Sequence, residues 1–482
     1  MKQSAKVNYF FNVSYQIFAL IVPLVVTPYV SRVLGADGIG TYSYTYSIVN
    51  YFMLMAALGV ATFAIREIGI WQDSKEKRSE IFWNVYSLRF ILTSVMLVFY
   101  FLYVIFIAEN KKIAAFQSIY LFTTMFEVSW FFQGMEDFKK ISIRNIIMKL
   151  LSVVFIFIFV KDKNDLPLYI IGHGGFLLLG TFVIWIPIRK YINKPDFKKI
   201  RPFRNFPQIL LLFLPTVANQ IFFIVDKSMI GWMTKSMEQN GYYEQSLKIV
   251  EMILIVITAL SYVMMPKISR AFKNGDKEVI QDSLNKSFQF AMMASLPMCF
   301  GLFIVSNTFV PWFFGKEFSP AIPVLEILGI MFIFSGINSV TGTQYFISTK
   351  QTNKHVYMMI AGGLVNIIAN LILIPRMYAK GAAIGSVMGE VVISVLELSY
   401  MHFSKQYNVI YIIKNCYKYF ISACVMLGAG LLINKYMNHS IPVMILSVIV
   451  CIIVYGICLL LLRDKFILEQ GNSIIKKIKG KL

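Results

Sequence analysis

Charge is what this chain has least of. Asp, Glu, Lys and Arg make up 15% of its 482 residues, where a soluble domain carries roughly a quarter. Hydrophobic residues reach 57% and the mean hydropathy is +0.65, so water is not the main solvent of this protein. Cysteine is also sparse. Cys299, Cys416, Cys424, Cys451 and Cys458 all lie in the second half, mostly in apolar runs. They form no C-x-x-C or His/Cys cluster, which excludes a disulfide framework and a zinc site. Acids are outnumbered, 25 against 46 bases, for a net charge of +21. Nucleic acid would need those bases gathered on one folded surface. They sit instead in short loops between apolar runs, so no nucleic-acid partner is expected. No cleavable signal peptide is expected, because the first apolar run, 9–30, is too long for a signal core, has no small-x-small cleavage site and reads better as the first span. No domain-sized outer loop is present, and membrane enzymes that join sugars usually need one to hold a catalytic site.

What the chain does have is about fourteen apolar runs, each long enough to cross a hydrocarbon core of ~30 Å. We place them at about 9–31, 39–64, 81–107, 113–133, 141–160, 166–188, 206–232, 242–265, 285–306, 320–347, 355–374, 378–401, 415–434 and 441–462. Helices are expected, because an open sheet leaves backbone groups unpaired in lipid and a barrel strand would alternate polarity with period two. About 32 of the 46 Lys and Arg fall on one side if the N-terminus is cytoplasmic, and such a bias sets orientation. An even number of spans then leaves both termini of a multi-pass membrane protein on the inside.

The most basic inner loop, RKYINKPDFKKIRPFR at 189–204, divides the chain. We expect an all-α polytopic membrane protein of two pseudo-symmetric six-helix lobes, 1–190 and 206–402, joined by a basic linker, 191–205. Two additional helices and a basic cytoplasmic tail, 403–482, have no counterpart in the first half. The tail ends in KKIKGKL and suits an interface with anionic membrane lipids. The two lobes echo each other at a spacing of 201 residues. Gly40, Tyr42, Ile48 and Val49, in the glycine-broken stretch SRVLGADGIGTYSYTYSIV, fall on Gly241, Tyr243, Ile249 and Val250. Internal repeats of this kind build many transporters, with the substrate between the halves.

The opening residues also carry a family resemblance. A first span containing Asn, Pro23 and Pro28 leads into RVLGADGIGTYSY and then LGVATFAIRE. Later come LPTVANQIFFIVDKSMIG, NGYYEQSLKIV and MMPKISRAF. This pattern resembles the polysaccharide-repeat (O-antigen/capsule) flippases of the multidrug/oligosaccharidyl-lipid/polysaccharide exporter superfamily, over essentially the whole chain. The resemblance implies two six-helix lobes around a central cavity, alternating access and no ATPase chemistry. It implies a flippase, not an enzyme, that carries undecaprenyl-pyrophosphate-linked oligosaccharide repeat units outward for capsule, O-antigen or exopolysaccharide synthesis. A polysaccharide polymerase and other assembly proteins are the partners it suggests. Relatives in the superfamily export drugs or peptidoglycan precursor, which is the alternative reading; a membrane polymerase is the more distant one.

Charges inside spans are costly and mark candidate sites unless they can snorkel. Arg89 and Lys149 lie about eight residues in from the inner end of their spans, or ~12 Å. Lys227 and Lys248 lie nearer the outer end, and Arg32 closes the first span. Lys and Arg supply charge and donors for phosphate oxygens, so these five are the expected pyrophosphate contacts; the plainer reading is that their stems reach the boundary. Adjacent residues on a helix point about 100° apart, so Asp226 and Lys227 each need a separate partner, whereas Lys248 and Glu251 can meet on one face. Asp226 and Glu251 are the candidates for coupling to a proton or sodium ion, and equally for a structural ion network. No other cofactor is expected. Tyr42, Tyr46 and Asn50, with Ser43 and Ser47, recur at three- and four-residue spacing and would line a cavity with groups for sugars; an interfacial tyrosine belt is the competing account. His173 in GHGG reads as a packing or hydrogen-bonding group. Glu127, Glu326, Glu390 and Glu397 fall within spans, with nothing in the sequence to rank them. The repeat spacing separates scaffold from candidates. Arg66 falls on Lys267, as paired topological anchors would, whereas Asp226, Lys227 and Arg89 fall on Val25, Val26 and Phe290. Arg32 falls on Met233 and Asn50 on Glu251, so those positions differ between lobes and suit cargo reading.

Overall fold

The computed structural model describes residues 5–405, 407–438, 440–464, 466 and 468, without the side chains of 5–9, 12, 211, 214–223 and 413. The basic tail therefore lies outside the described residues. Those described are mostly helical, with no strand among them. The helices are α1 (Ala5–Ala57), α2 (Val60–Ile70), α3 (Lys75–Phe106), α4 (Lys111–Phe126), α5 (Ser129–Gly134), α6 (Phe138–Phe159), α7 (Leu166–Ile170), α8 (Phe176–Ile188), α9 (Phe206–Thr234), α10 (Met237–Asn274), α11 (Lys277–Phe313), α12 (Ile322–Gly329), α13 (Met331–Asn338), α14 (Thr352–Met377), α15 (Ala379–Phe403), α16 (Ile410–Tyr436) and α17 (Ile441–Leu461). Single π-helical stretches, Ile171–Gly175 and Ser339–Ile347, continue α7 and α13.

Eleven stretches among the described residues are long and apolar enough to cross a membrane. One of them, Val13–Ile70, has 58 residues, which at ~1.5 Å each is far more than one crossing needs. It folds as two arms about Gly35, whose backbone (φ 69, ψ 179) interrupts the helix inside α1. Only glycine takes up that conformation without strain. α4 continues through a break at Glu127 and Val128 into α5, and with α9 these bring the passes to the expected fourteen. Hydropathy had marked only the apolar middles. α10 and α11 run on well past them at both ends, because a charged helical turn in water looks like a loop on an apolar scale.

The structure relocates the turn in the repeated stretch. It lies at Gly35, while Gly40 sits in continuous helix and serves a different purpose. A Cβ on Gly40 would lie 1.6 Å from the carbonyl oxygen of Met237, and one on Gly241 would lie 2.1 Å from that of Ala36. Adding the repeat spacing of 201 takes Ala36 to Met237 and Gly40 to Gly241, so the contact is reciprocal: each copy's glycine lies against the other copy's carbonyl. Nothing larger than hydrogen fits at either position.

By contacts the chain groups into two compact units. One holds Met1–Gly231 with Lys235–Gly241, the other Trp232–Thr234 with Tyr242–Leu482. The first packs around Phe63, Phe82, Trp130, Phe131 and Phe132, and Ile209 and Phe213 of α9 join that core. This grouping carries α9 with the first unit as far as Gly231, beyond the basic linker at which the sequence divides. The second packs around Phe288, Tyr345, Phe346, Tyr407 and Tyr419. Outward from these cores the helices are apolar: Ile445, Ile449, Ile452, Ile453 and Ile457 of α17 are all exposed, as a face against lipid tails requires.

Overpacking a tight contact costs about 1–3 kcal/mol. Gly40→Ala and Gly241→Ala should each lower the Tm of the purified protein in detergent, while Gly301→Ala and Gly428→Ala, which meet open space, should leave it unchanged. Equal Tm values for all four variants would refute the reciprocal contact.

Candidate functional site

Polar side chains in the first unit gather along the second arm of α1. The hydroxyls of Tyr42 and Tyr120 are 2.9 Å apart, and Tyr120 Oη lies 2.8 Å from Nδ1 of His173. His173 sits in the π-helical stretch, whose extra residue per turn lets the imidazole reach α4. Gln117 Nε2 contacts the Tyr42 carbonyl at 3.2 Å and the Thr45 hydroxyl at 3.0 Å. Lower on the same arm, Ser47 Oγ is 3.0 Å from Ser228 Oγ of α9. Tyr42, Ser43 and Ser47 are thus buried between helices, where their hydrogen bonds are already used. Tyr46 and Asn50 keep partial access to the surface. Tyr46 stacks on Tyr42 with ring centroids 5.6 Å apart, and Asn50 makes no hydrogen bond among the described residues, which leaves its amide available to a ligand.

A second group surrounds Glu127 at the break between α4 and α5. Its Oε1 accepts from the Ser129 amide at 2.5 Å. Its Oε2 is 3.5 Å from Arg144 Nη1, and Arg144 also donates to Ser129 Oγ at 2.8 Å and to the Gly180 carbonyl at 3.2 Å. Arg89 is buried nearby and feels the charge of Glu127. It donates through Nε to the Thr124 carbonyl at 2.7 Å, its one hydrogen bond among the described residues. Two guanidinium groups about one carboxylate leave net positive charge inside the unit. Arg144 had no signal in the sequence, because its position near the start of a span reads as an anchor. Only the fold shows that it turns inward.

The other expected contacts are dispersed. Arg32 is exposed. Lys149 is half-buried and has no hydrogen bond or ion pair among the described residues, so its ammonium is free to take an anion. Asp226 is fully buried, and Lys227, beside it and half-buried, lends its carbonyl to Asn240 Nδ2 at 2.7 Å. In the second unit Lys248 Nζ lies 3.2 Å from Glu244 Oε1, four residues earlier. The sequence had offered Glu251 for that pairing and passed over Glu244, which the fold buries; Glu251 is exposed.

These positions acquire a context from the chain's relatives. The profile described as polysaccharide biosynthesis protein matches residues 5–272. The chain belongs to that family. An Escherichia coli (strain K12) protein named "Putative O-antigen transporter" is 22% identical over 392 residues, 80% of this chain and 94% of that one. A Haloferax volcanii protein named "Probable low-salt glycan biosynthesis flippase Agl15" is 23% identical over 211 residues, 44% of each chain. Among solved structures, a lipid II flippase MurJ in an inward closed conformation superposes with a TM-score of 0.77 at 17% identity, over 95% of this chain and 99% of that one. An inward-facing multidrug transporter of the MATE family gives 0.58 at 15%, over 80% and 98%. At these identities the likeness is one of fold.

For this member of the polysaccharide biosynthesis proteins, the geometry separates structural cations from available ones. Removing one partner of a buried ion pair costs roughly 3–5 kcal/mol, toward the lower end here because Glu127 keeps some access to the surface. Arg144→Met should therefore lower Tm markedly and Lys149→Met should not. A Tm unchanged in Arg144→Met would show that the Glu127 pair carries no stability.

Proposed function

We propose that the protein is a flippase that moves a lipid-linked oligosaccharide repeat from the inner to the outer leaflet of a cytoplasmic membrane by alternating access. The observation that carries this reading is a set of basic groups within the spans whose donors are not used up by the protein, Lys149 foremost and then Arg89. A hydrocarbon-embedded cation is costly, and a pyrophosphate that joins a lipid to a glycan supplies the charge and the acceptor oxygens to repay it. The relatives named as an O-antigen transporter and a glycan biosynthesis flippase support that cargo. Tyr46 and Asn50 are the side chains we assign to the sugars, by ring contact and amide hydrogen bond. The carrier is undecaprenyl pyrophosphate in this reading, and polymer assembly proteins on the outer side take over the delivered unit. The Lys and Arg bias favours an orientation with both termini inside.

The work here is binding and release, with no covalent step. Asp226 and Glu251 are the carboxylates we assign to an exchange of H+ or Na+. A second cargo, lipid II, is favoured by the 0.77 superposition on MurJ; it shares the pyrophosphate and differs in the glycan.

Depletion of the protein in its own host should trap lipid-linked repeat units at the inner leaflet, where an outer-leaflet enzyme cannot reach them. Unchanged delivery in a strain with no second flippase would overturn the proposal. A hydrogen bond to a charged group contributes about 1.5–3 kcal/mol, so Lys149→Ala at normal protein level should slow delivery by roughly tenfold or more. Lys149→Arg should retain most of the rate, since it keeps the charge.

A further inference from the structure

Of the four intramembrane glutamates that the sequence could not rank, the fold singles out Glu397. It lies on α15 on one helical face with Ser394 and Glu390, at spacings of three and four, and none of its surface is exposed. Its Oε1 is 2.5 Å from Nδ1 of His355 on α14, and its Oε2 accepts the hydroxyl of Thr341. The imidazole is held on three sides. The Phe346 ring lies nearly parallel to it, 11° between planes and 6.4 Å between centroids. Gly342 backs it so closely that a Cβ there would fall 2.4 Å from Cε1. Thr341, Gly342 and Phe346 all belong to the π-helical stretch Ser339–Ile347. One irregular segment thus supplies the hydroxyl, the space and the ring that place His355 against Glu397.

The surrounding ionisable groups leave this pair to balance itself. Glu390 accepts Asn338 Nδ2 at 2.6 Å, Asn338 Oδ1 takes the Ser394 hydroxyl at 2.6 Å, and the Glu390 and Glu397 charges repel each other. Lys354 faces away and donates to the Tyr400 hydroxyl, its ammonium 4.5 Å from that ring's centre. Tyr345 Oη takes Gln351 Nε2 at 3.5 Å. α13 carries no ionisable side chain. On α12, Glu326 takes the Ser306 hydroxyl at 2.5 Å, and on α11, Lys286 pairs with Asp282 at 2.9 Å. Among the described residues no lysine or arginine reaches Glu397, and the basic side chain set against it is the His355 imidazole, a group able to take up or give up a proton.

We propose that Glu397 and His355 form a binding site for one proton, separate from Asp226 and Glu251, and that its occupancy sets the packing of 339–347 against α14 and α15. His355 lies in the first turn of α14 and its side chain is 14% exposed, which gives the proton a way in from the water at that end. Occupied, the site holds imidazolium against carboxylate with no net charge. On release the proton leaves through the imidazole to that water, and the site becomes a buried carboxylate with a net charge of −1, next to Glu390. An uncompensated buried charge is strongly destabilising. The π-helical stretch, which supplies Thr341 as the remaining hydroxyl donor, is the segment that must adjust. The flippase reading enters only in what the proton would drive; the site itself stands on the geometry.

The test uses purified full-length protein in lipid nanodiscs with no glycan lipid, so its failure leaves the transport reading untouched. Hydrogen exchange of peptides covering 335–350 is followed by mass spectrometry at pH 6 and pH 8, corrected for the intrinsic pH dependence of exchange. Wild type should differ by at least about threefold in protection between the two. His355→Gln and Glu397→Gln should lose that difference, Glu397→Asp should keep part of it, and peptides from α3 and α4 should show none in any variant. A flat wild-type response, or a wild-type response in His355→Gln, would overturn the site. Should Glu397→Gln not purify as a single species, the wild type and His355→Gln decide the matter by themselves.

Discussion

Hydrocarbon offers a polar group nothing to bind, and the rest of this structure depends on that fact. A backbone in lipid must close its own hydrogen bonds, so every long apolar stretch among the described residues is helical. A charge in lipid must be neutralised or kept near water, so Glu127 has Arg144, Lys248 has Glu244 and Glu397 has His355. Once these pairs are recognised, the remaining intramembrane cations stand out. Lys149 and Arg89 are where the protein has left charge and donors unspent, and an anionic cargo is what such groups suit.

Departures from regular helix fall where chemistry is held. The break at Glu127 frees the Ser129 amide to bond that carboxylate. The first π-helical stretch brings His173 to Tyr120, and the second brings Thr341 and Gly342 to the Glu397 pair. A π turn rotates the residues that follow it off the regular face and opens the helix locally, which explains why both histidines found buried partners beside one.

The repeat acquired a physical meaning of its own. Gly40 and Gly241 agree in sequence because each lies against the backbone of the other copy, at Met237 and Ala36. A methyl group at either position would collide with a carbonyl. Identity at those two sites therefore records a shared steric requirement. Tyr42 and Tyr243 also match, two residues on, both buried and both hydrogen-bonded to a hydroxyl, of Tyr120 and Ser386 respectively.

The sequence by itself determined the class of solvent, the number of crossings and the family, since hydrophobic length and a long chain-wide pattern are properties of the linear order. It also marked most of the charged positions, because a Lys or Glu in an apolar run stands out wherever that run packs. It could not say which of those charges were satisfied. Arg144 sits near the start of its span and Arg89 deeper in its own, yet the shallower one completes the bonding of Glu127 and the deeper one keeps donors to spare. Glu397 looked no different from Glu326 until the chain had folded and set His355 on α14 beside it. Neutralising a buried charge takes partners brought from other helices, and which helices meet is decided by packing in three dimensions. The tertiary structure alone could therefore separate the charges that hold the fold from those left free to act.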